Sequence, residues 1–239
     1  MINFAHRGAS EYAPENTLSS FYLGLLQGAN GIETDVQKTK DGVLVLFHDD
    51  TLDRVTDTKG RLSDFTWEEL KTVKVFGNAK YGFYDRIITF ETFLQLFAQY
   101  NIHFAIELKG ADVEQETLEM IKKFGVLDRV TFTSFHYDYI KKIKELDASA
   151  RVGWLVWDIN DDTINSILQI GGDELAPKAD CVTQAQVRMC RDAGLGVRAW
   201  GVVNTDLMQA MCSLGVDGMT VNFPDKLREY VQGTQVDMG

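Results

Sequence analysis

Two hydrophobic patterns alternate along the chain. Short apolar runs that read as strands are followed by stretches whose apolar residues recur every three or four positions, the helical period. Residues 2–5 are the first extended run. Leu18, Phe21, Tyr22 and Leu25 then mark one helix face, with Asn16 or Thr17 placed to cap a helix that ends at Leu26. Residues 31–37 alternate, Asp41-Gly42 is a turn signal, and 43–47 form a second extended run leading to His48. Beyond an irregular segment the alternation resumes. It predicts helices over 89–100, 113–124, 137–146, 162–170, 184–193, 205–214 and 224–231. Strands are predicted over 103–108, 130–135, 152–156, 181–182, 196–203 and 218–221, and the tail from Gly233 is expected to fray. Counted from Ile2, these are eight strand–helix units, the count of an α/β fold of the (β/α)8 TIM-barrel type. No linker interrupts the 239 residues, so residues 1–239 are expected to form a single domain.

Polar chemistry collects where strands end. Between Ala5 and Asp50 lie His6, Arg7, Glu15, Asn16, Glu33, Asp35 and His48, in an otherwise apolar segment. Residues two apart on a strand share a face, so Glu33 and Asp35 project together, and Glu107 and Lys109 do the same on the next strand. Adjacent carboxylates repel unless a cation lies between them. An oxygen-only set suits a hard cation. A salt-bridged cluster with Arg7 and Lys109 accounts for the same residues equally well. His6 and His48 each stand beside a charged residue, and imidazoles can both take and give a proton near neutrality. His103 opens its strand at the opposite end, and His136 has no evident partner, so surface placement is expected for it.

Composition narrows the classes. The apolar share of 45% suits one packed core, and a formal charge of −11 argues against non-specific nucleic-acid binding. An anion site in such a chain has to collect its positive charge locally. The N-terminus has no basic segment followed by an apolar one, and no uninterrupted apolar run approaches the roughly 20 residues of a membrane span. Neither a signal peptide nor stable membrane insertion is expected. Cys181, Cys190 and Cys212 are odd in number, lack metal-site spacing and sit in apolar contexts, so buried free thiols and a cytoplasmic location are expected.

The ordered set of motifs resembles a known family. His6-Arg7-Gly8, Pro14-Glu15-Asn16-Thr17, Glu33-Thr34-Asp35 and His48-Asp49-Asp50 are similar to the signature of glycerophosphodiester phosphodiesterases. Glu107-Leu108-Lys109, Ser134-Phe135, Trp200 with Asn204, and Gly215-Val216-Asp217-Gly218 extend the resemblance over nearly the whole chain. It implies metal-dependent hydrolysis of small-molecule glycerophosphodiesters to glycerol 3-phosphate and an alcohol such as choline or ethanolamine. It favours Glu33, Asp35 and Glu107 as ligands of a divalent cation, Mg2+ or Ca2+. It makes His6 and His48 the pair that activates the nucleophile and protonates the leaving group. Arg7 and Lys109 would neutralise phosphate oxygens. Glu15 and Asn16 would stand near substrate or metal, Trp200 against the glycerol carbons, and Asn204 beside the phosphate or Trp200. A lysophospholipase D-like phosphodiesterase is one alternative. A catalytically silent phosphodiester-binding protein is another, and two intact histidines argue against it. The chain departs from the family at Val221-Asn222-Phe223-Pro224, where Thr-Asp-x-Pro is usual; loss of that charge would weaken the negative field and bear on substrate range.

Residues 51–86 break the strand–helix alternation and read as a small insertion on the catalytic face, after the second strand, an arrangement the resemblance also implies. Ser63 or Asp64 can cap a short helix from Thr66 to about Val73. The aromatics Phe65, Trp67, Phe76, Tyr81, Phe83 and Tyr84 pack locally, cover the site as an apolar groove, or meet another chain to make a homo-oligomer; local packing is the simplest of the three.

Overall fold

The computed structural model describes residues 1–78 and 81–236. β1 (Ile2–His6) leads to α1 (Leu18–Leu26) and β2 (Gly31–Lys38), which turns back as the antiparallel β3 (Leu44–Leu46). Next come α2 (Trp67–Leu70) and a hairpin of β4 (Lys74–Phe76) and β5 (Tyr84–Arg86). The chain then alternates through α3 (Phe90–Phe97), β6 (His103–Leu108), α4 (Glu114–Lys123), β7 (Val130–Ser134), α5 (Tyr137–Leu146), β8 (Arg151–Val156) and α6 (Asp161–Gln169). It finishes with β9 (Glu174–Pro177), α7 (Gln184–Asp192), β10 (Gly196–Val202), α8 (Thr205–Leu214), β11 (Gly218–Val221) and α9 (Pro224–Val236).

β1, β2, β6, β7, β8, β9, β10 and β11 pair in parallel in that order, and β11 pairs with β1 to close a (β/α)8 barrel. Closure leaves the barrel strands without edges, and strands covered on both faces are buried along their length. β2 is buried from Gly31 through Gln37, including Glu33, Thr34 and Asp35. The strand's own pattern therefore carries polar residues into the interior, where they require partners.

Helix ends obey local chemistry. The side chains of Thr89, Asn160, Thr183 and Asn204 accept the backbone N–H three residues on, capping α3, α6, α7 and α8. Packing is strongest where α1 and α3 meet β6. Phe93 lies edge-on to Phe21 at 4.9 Å and to Phe104 at 5.8 Å, and all three are fully buried.

Residues 51–86 enclose an apolar cluster of their own, in which Leu52, Leu62, Leu70 and Val75 pack beneath Val45 and Phe47. Phe65 and Trp67 pack against it, whereas Phe76, Phe83 and Tyr84 are exposed. The hairpin of β4 and β5 was not legible in the sequence, and residues 79–80 of that stretch lie outside the described residues.

Three expectations are corrected. The sixth barrel strand is Glu174–Pro177, not 181–182, where the chain makes a short 3-10 turn. This strand opens on a charged residue and ends on proline, which hides it from a hydrophobicity reading; inside the barrel the Glu174 carboxylate is 2.9 Å from Arg198 Nε. The cysteines are not uniformly buried: Cys190 is, Cys212 is half-buried, and Cys181 is exposed with its thiol 3.3 Å from Asp180 Oδ1. The last helix runs to Val236 rather than stopping at Val231; the end of the expected frayed tail, 237–239, lies outside the described residues.

Gly8 sets how closely α1 approaches β1. Its φ is +81°, and a Cβ there would stand 2.4 Å from Ser20. Gly8→Ala is expected to lower the unfolding free energy by about 2 kcal/mol or more through left-handed strain and this clash. Urea unfolding checks it; a wild-type midpoint would show that α1 can recede at no cost.

Candidate active site

Register sets Asp35 beside Glu107, with Glu33 two residues earlier on the same face of β2. His6, the last residue of β1, pairs with Glu33 on β2, and Asp35 pairs with Glu107 on β6. Glu33, Asp35 and Glu107 are all buried, and each offers an oxygen within 4.8 Å of the others. Burial, then the charge of Asp35, pushes Glu33 well above the usual carboxylate range and Glu107 up to about 7. Burial acts on Asp35 in the same sense, but Arg7, His48, Lys109 and Asn16 outweigh it and hold Asp35 down. Asp35 Oδ2 accepts from Asn16 Nδ2 at 2.8 Å and lies 3.3 Å from Arg7 Nε. Its Oδ1 is buried with no hydrogen-bond partner among the described residues. An orphaned carboxylate oxygen beside two further carboxylates is the donor set a divalent cation takes.

A network of alternating charge surrounds the cluster. Arg7 sits at φ +54° and Asn16 at φ +56°, conformations uncommon for residues with a Cβ. The Arg7 amide donates to both the carbonyl oxygen and Oε2 of Glu33, each at 3.0 Å. Its guanidinium donates to Glu15 Oε1 at 3.0 Å. Arg54 grips the same carboxylate from outside, at 2.7 and 2.9 Å, and reaches Asp49 Oδ2 at 2.6 Å. Burial works against ionised Asp49, yet Arg54 and His48 hold it down at about 2. Glu15 thus clamps two arginines, and Asn16 fixes Asp35 while accepting from Thr34 Oγ1 at 2.7 Å.

The two imidazoles are held alike. His48 Nδ1 is 2.6 Å from Asp49 Oδ1, and the Lys109 ammonium donates to Nε2 at 3.3 Å. An ammonium can only donate, so the ring proton of neutral His48 is on Nδ1. His6 Nδ1 is 2.6 Å from Asn222 Oδ1, leaving Nε2 3.9 Å from Glu33 Oε2. Burial, then Arg7, lowers His6 to about 4; Asn222 returns a hydrogen bond without the charge an aspartate would add. Both rings therefore anchor Nδ1; Nε2 of His6 faces Glu33, and Nε2 of His48 meets Lys109. Lys109 Nζ lies 3.2 Å from Glu107 Oε1.

A cavity of about 220 Å3 opens over these groups, with His6, Arg7, Glu33, His48 and Glu107 on one side and Phe135, Leu155 and Trp200 on the other. Trp200 donates Nε1–H to the Val156 carbonyl at 3.1 Å. Its ring stands 5.1 Å from Phe135 and 4.9 Å from Trp157, which is 63% exposed. No residue of 51–86 lines this cavity among those described; Arg54 ties that segment to the network instead. Asn204 is set apart, since its exposed side chain caps α8. His136 is exposed at the start of α5, and His103 lies at the other end of the barrel.

Several residues here escaped the sequence reading. Asp49 lies inside a quoted motif but was given no role, and Arg54 was hidden in the insertion. Arg198 shares the inward face of β10 with Trp200, a period-two signal, but its partner Glu174 lay on the strand that was misplaced. Asn222 was noted only as a departure from the usual aspartate.

A model of the glycerophosphoryl diester phosphodiesterase family matches residues 6–226. A glycerophosphodiester phosphodiesterase of Bacillus altitudinis is 34% identical over 245 residues, covering 96% of this chain and 98% of that protein. One of Caldanaerobacter subterraneus subsp. tengcongensis is 31% identical over 236 residues, covering 95% and 96%. Among solved structures, a phosphodiesterase of Oleispira antarctica in complex with the product sn-glycerol-3-phosphate superposes with a TM-score of 0.88 at 28% identity, covering 97% of each chain.

The shifted carboxylates predict how a cation should stabilise the fold. Glu107 has a folded pKa, about 7, above its ordinary 4.5, so its contribution is fully present at low pH and is lost as pH rises through about 7. Glu33 acts in the same sense. His6, lowered from 6.5 to about 4, has the opposite sign and loses stability as pH falls below 6.5, so it does not contribute to the window above that. Metal-free protein is therefore expected to lose stability between about pH 6.5 and 8, with Mg2+ or Ca2+ raising the melting temperature more at pH 8 than at pH 6.5. Equal increments at the two pH values would remove the cluster as the ligand set.

Proposed function

The chain belongs to the glycerophosphoryl diester phosphodiesterase family, and from that premise we propose that it hydrolyses glycerophosphodiesters to glycerol 3-phosphate and an alcohol in a metal-dependent reaction. The observation that carries this reading is the pair of imidazoles whose Nδ1 atoms are anchored and whose Nε2 atoms lead to one acidic cluster, His6 directly at Glu33 and His48 through Lys109 at Glu107. Phosphodiester cleavage requires two proton movements, and two such rings provide them. One Nε2 takes the proton of the attacking hydroxyl, from water or from the neighbouring glycerol hydroxyl. The other delivers a proton to the alkoxide oxygen as its bond to phosphorus breaks. The product complex of the Oleispira antarctica relative supports glycerol 3-phosphate as the product.

Glu33, Asp35 and Glu107 would hold the divalent cation, Mg2+ or Ca2+. The oxygen-only donors, the orphaned Asp35 Oδ1 and the mutual repulsion of the three carboxylates all fit it. When bound, the cation supplies Lewis-acid polarisation of a phosphate oxygen. Lys109, hydrogen-bonded to His48, and Arg7 place positive charge where the anionic substrate enters. Trp200, with Phe135 and Leu155, forms the apolar wall against carbon. Glu15 and Asn16 act through Arg7 and Asp35 rather than by reaching the cavity themselves. An apolar groove for a lysophospholipid chain would be formed at the Phe135–Trp157–Trp200 rim, not by the aromatics of 51–86. The exposed free thiol of Cys181 supports a reducing, cytoplasmic setting.

Turnover of glycerophosphocholine, with and without chelator, tests the assignment. Chelation is expected to abolish it and Mg2+ or Ca2+ to restore it; full activity of rigorously metal-free protein would sink the ligand set. His6→Ala and His48→Ala are each expected to keep the fold and lower kcat by roughly two or more orders of magnitude. A variant near wild-type turnover removes that ring from the mechanism. Asn222→Asp adds a carboxylate at His6 Nδ1, which favours the imidazolium and moves the His6-dependent limb of the pH–rate profile to higher pH. An unmoved profile would mean that His6 does not titrate in catalysis.

A further inference from the structure

The barrel has a second opening, at the N-terminal ends of its strands. A cavity of about 460 Å3 lies there, and His103, Arg151, Glu174, Gly196 and Gly218, the first residues of β6, β8, β9, β10 and β11, line it. Phe4 and the Arg198–Glu174 ion pair stand at its inner end, and Arg198 also lines the catalytic cavity.

Four arginines and three carboxylates line this hollow, an excess of one positive charge. Arg129 donates to the backbone carbonyls of Ala98, Tyr100 and Ile102, and Arg191 to that of Gly215 at 2.5 Å. Those acceptors are neutral. Among the described residues Arg129, Arg151 and Arg191 form no ion pair, and Arg151 makes no hydrogen bond from its side chain either. Arg198 is buried, and its Nη2 has no hydrogen-bond partner among the described residues. Three carboxylates border the cavity. Glu174 is neutralised by Arg198 at 2.9 Å, and Asp217 Oδ2 accepts the Val197 N–H at 2.8 Å. That leaves Asp128 and Asp217, whose backbone bond does not cancel its charge, against Arg129, Arg151 and Arg191. Burial, Arg151 and Arg129 together press the His103 imidazole toward its neutral form. The three arginines outside ion pairs give this wall local positive charge in a chain of net charge −11, and an anion in the hollow would offset it.

We propose that this cavity binds a small oxyanion of the phosphate class, either inorganic phosphate or a phosphomonoester. Guanidinium groups present paired N–H donors that match phosphate oxygens, and the exposed Arg151 is the one whose donors meet no side-chain partner among the described residues. His103 offers a further ring N–H at the same wall. The site is a second anion position, at the opposite end of the barrel from His6 and His48.

The test follows the His103 ring resonances by NMR as inorganic phosphate, or in a separate arm sn-glycerol 3-phosphate, is added to the purified protein. His103 lines only this cavity, so binding at the catalytic end does not produce the signal. A saturable shift is expected, and the arm with the lower midpoint identifies the source of the anion. The shift should persist in Lys109→Ala, whose substitution lies at the catalytic end. In Arg151→Gln the midpoint should rise about tenfold or more, the scale of one charge-assisted hydrogen bond, with turnover unchanged. Arg191→Ala repeats the comparison at a second position. Absence of a shift in both arms up to about 20 mM, or an unchanged midpoint in both arginine variants, overturns the proposal.

Discussion

Mutual repulsion among Glu33, Asp35 and Glu107 is the constraint on which the catalytic end depends. Three buried carboxylates whose oxygens lie within 4.8 Å of one another cannot all ionise without compensation. The compensation is visible in each neighbour: Arg7 and Asn16 at Asp35, Lys109 at Glu107, and the Arg7 amide at Glu33. Even so, Glu33 and Glu107 are pushed toward their protonated forms. The arrangement is least favourable when all three are ionised with no further positive charge between them.

Backbone geometry follows from the same demand. Arg7 and Asn16 adopt left-handed conformations that side chains usually avoid, and in doing so they turn toward β2. Gly8 then lets α1 close against them. The chain of charge continues outward from Arg7 through Glu15, Arg54 and Asp49 to His48. Residues 51–86 thus reach the site through one arginine, not through their aromatics. Their apolar side chains build a small core against β3 and hold Arg54 in place.

The barrel is electrically polarised along its length. Carboxylates concentrate where the strands end, and arginines concentrate where they begin, with the Arg198–Glu174 pair and Phe4 between. An ion pair of this kind is neutral overall, so it can plug a barrel interior that hydrophobic layers usually fill. It also explains why β9 reads poorly as a strand: its inward residue is charged, and only a partner on the next strand, β10, makes that tolerable.

The sequence by itself determined the strand–helix alternation, the eight-unit count and the ordered polar motifs at strand ends, because periodicity and short-range spacing are local properties. It placed His6, His48, Glu33, Asp35, Glu107, Arg7 and Lys109 as neighbours, since strand ends of a barrel share one face. Tertiary structure alone decided which of these touch. Asn222 reaches His6 across the closure of β11 on β1, Arg54 joins Glu15 to Asp49, and Arg198 finds Glu174 across β9 and β10. Each of these pairings depends on register between segments far apart in the chain, which no local pattern encodes. Asn204 shows the converse. Its spacing from Trp200 suggested the site, but its side chain meets the nearer unsatisfied donor, the free N–H at the start of α8.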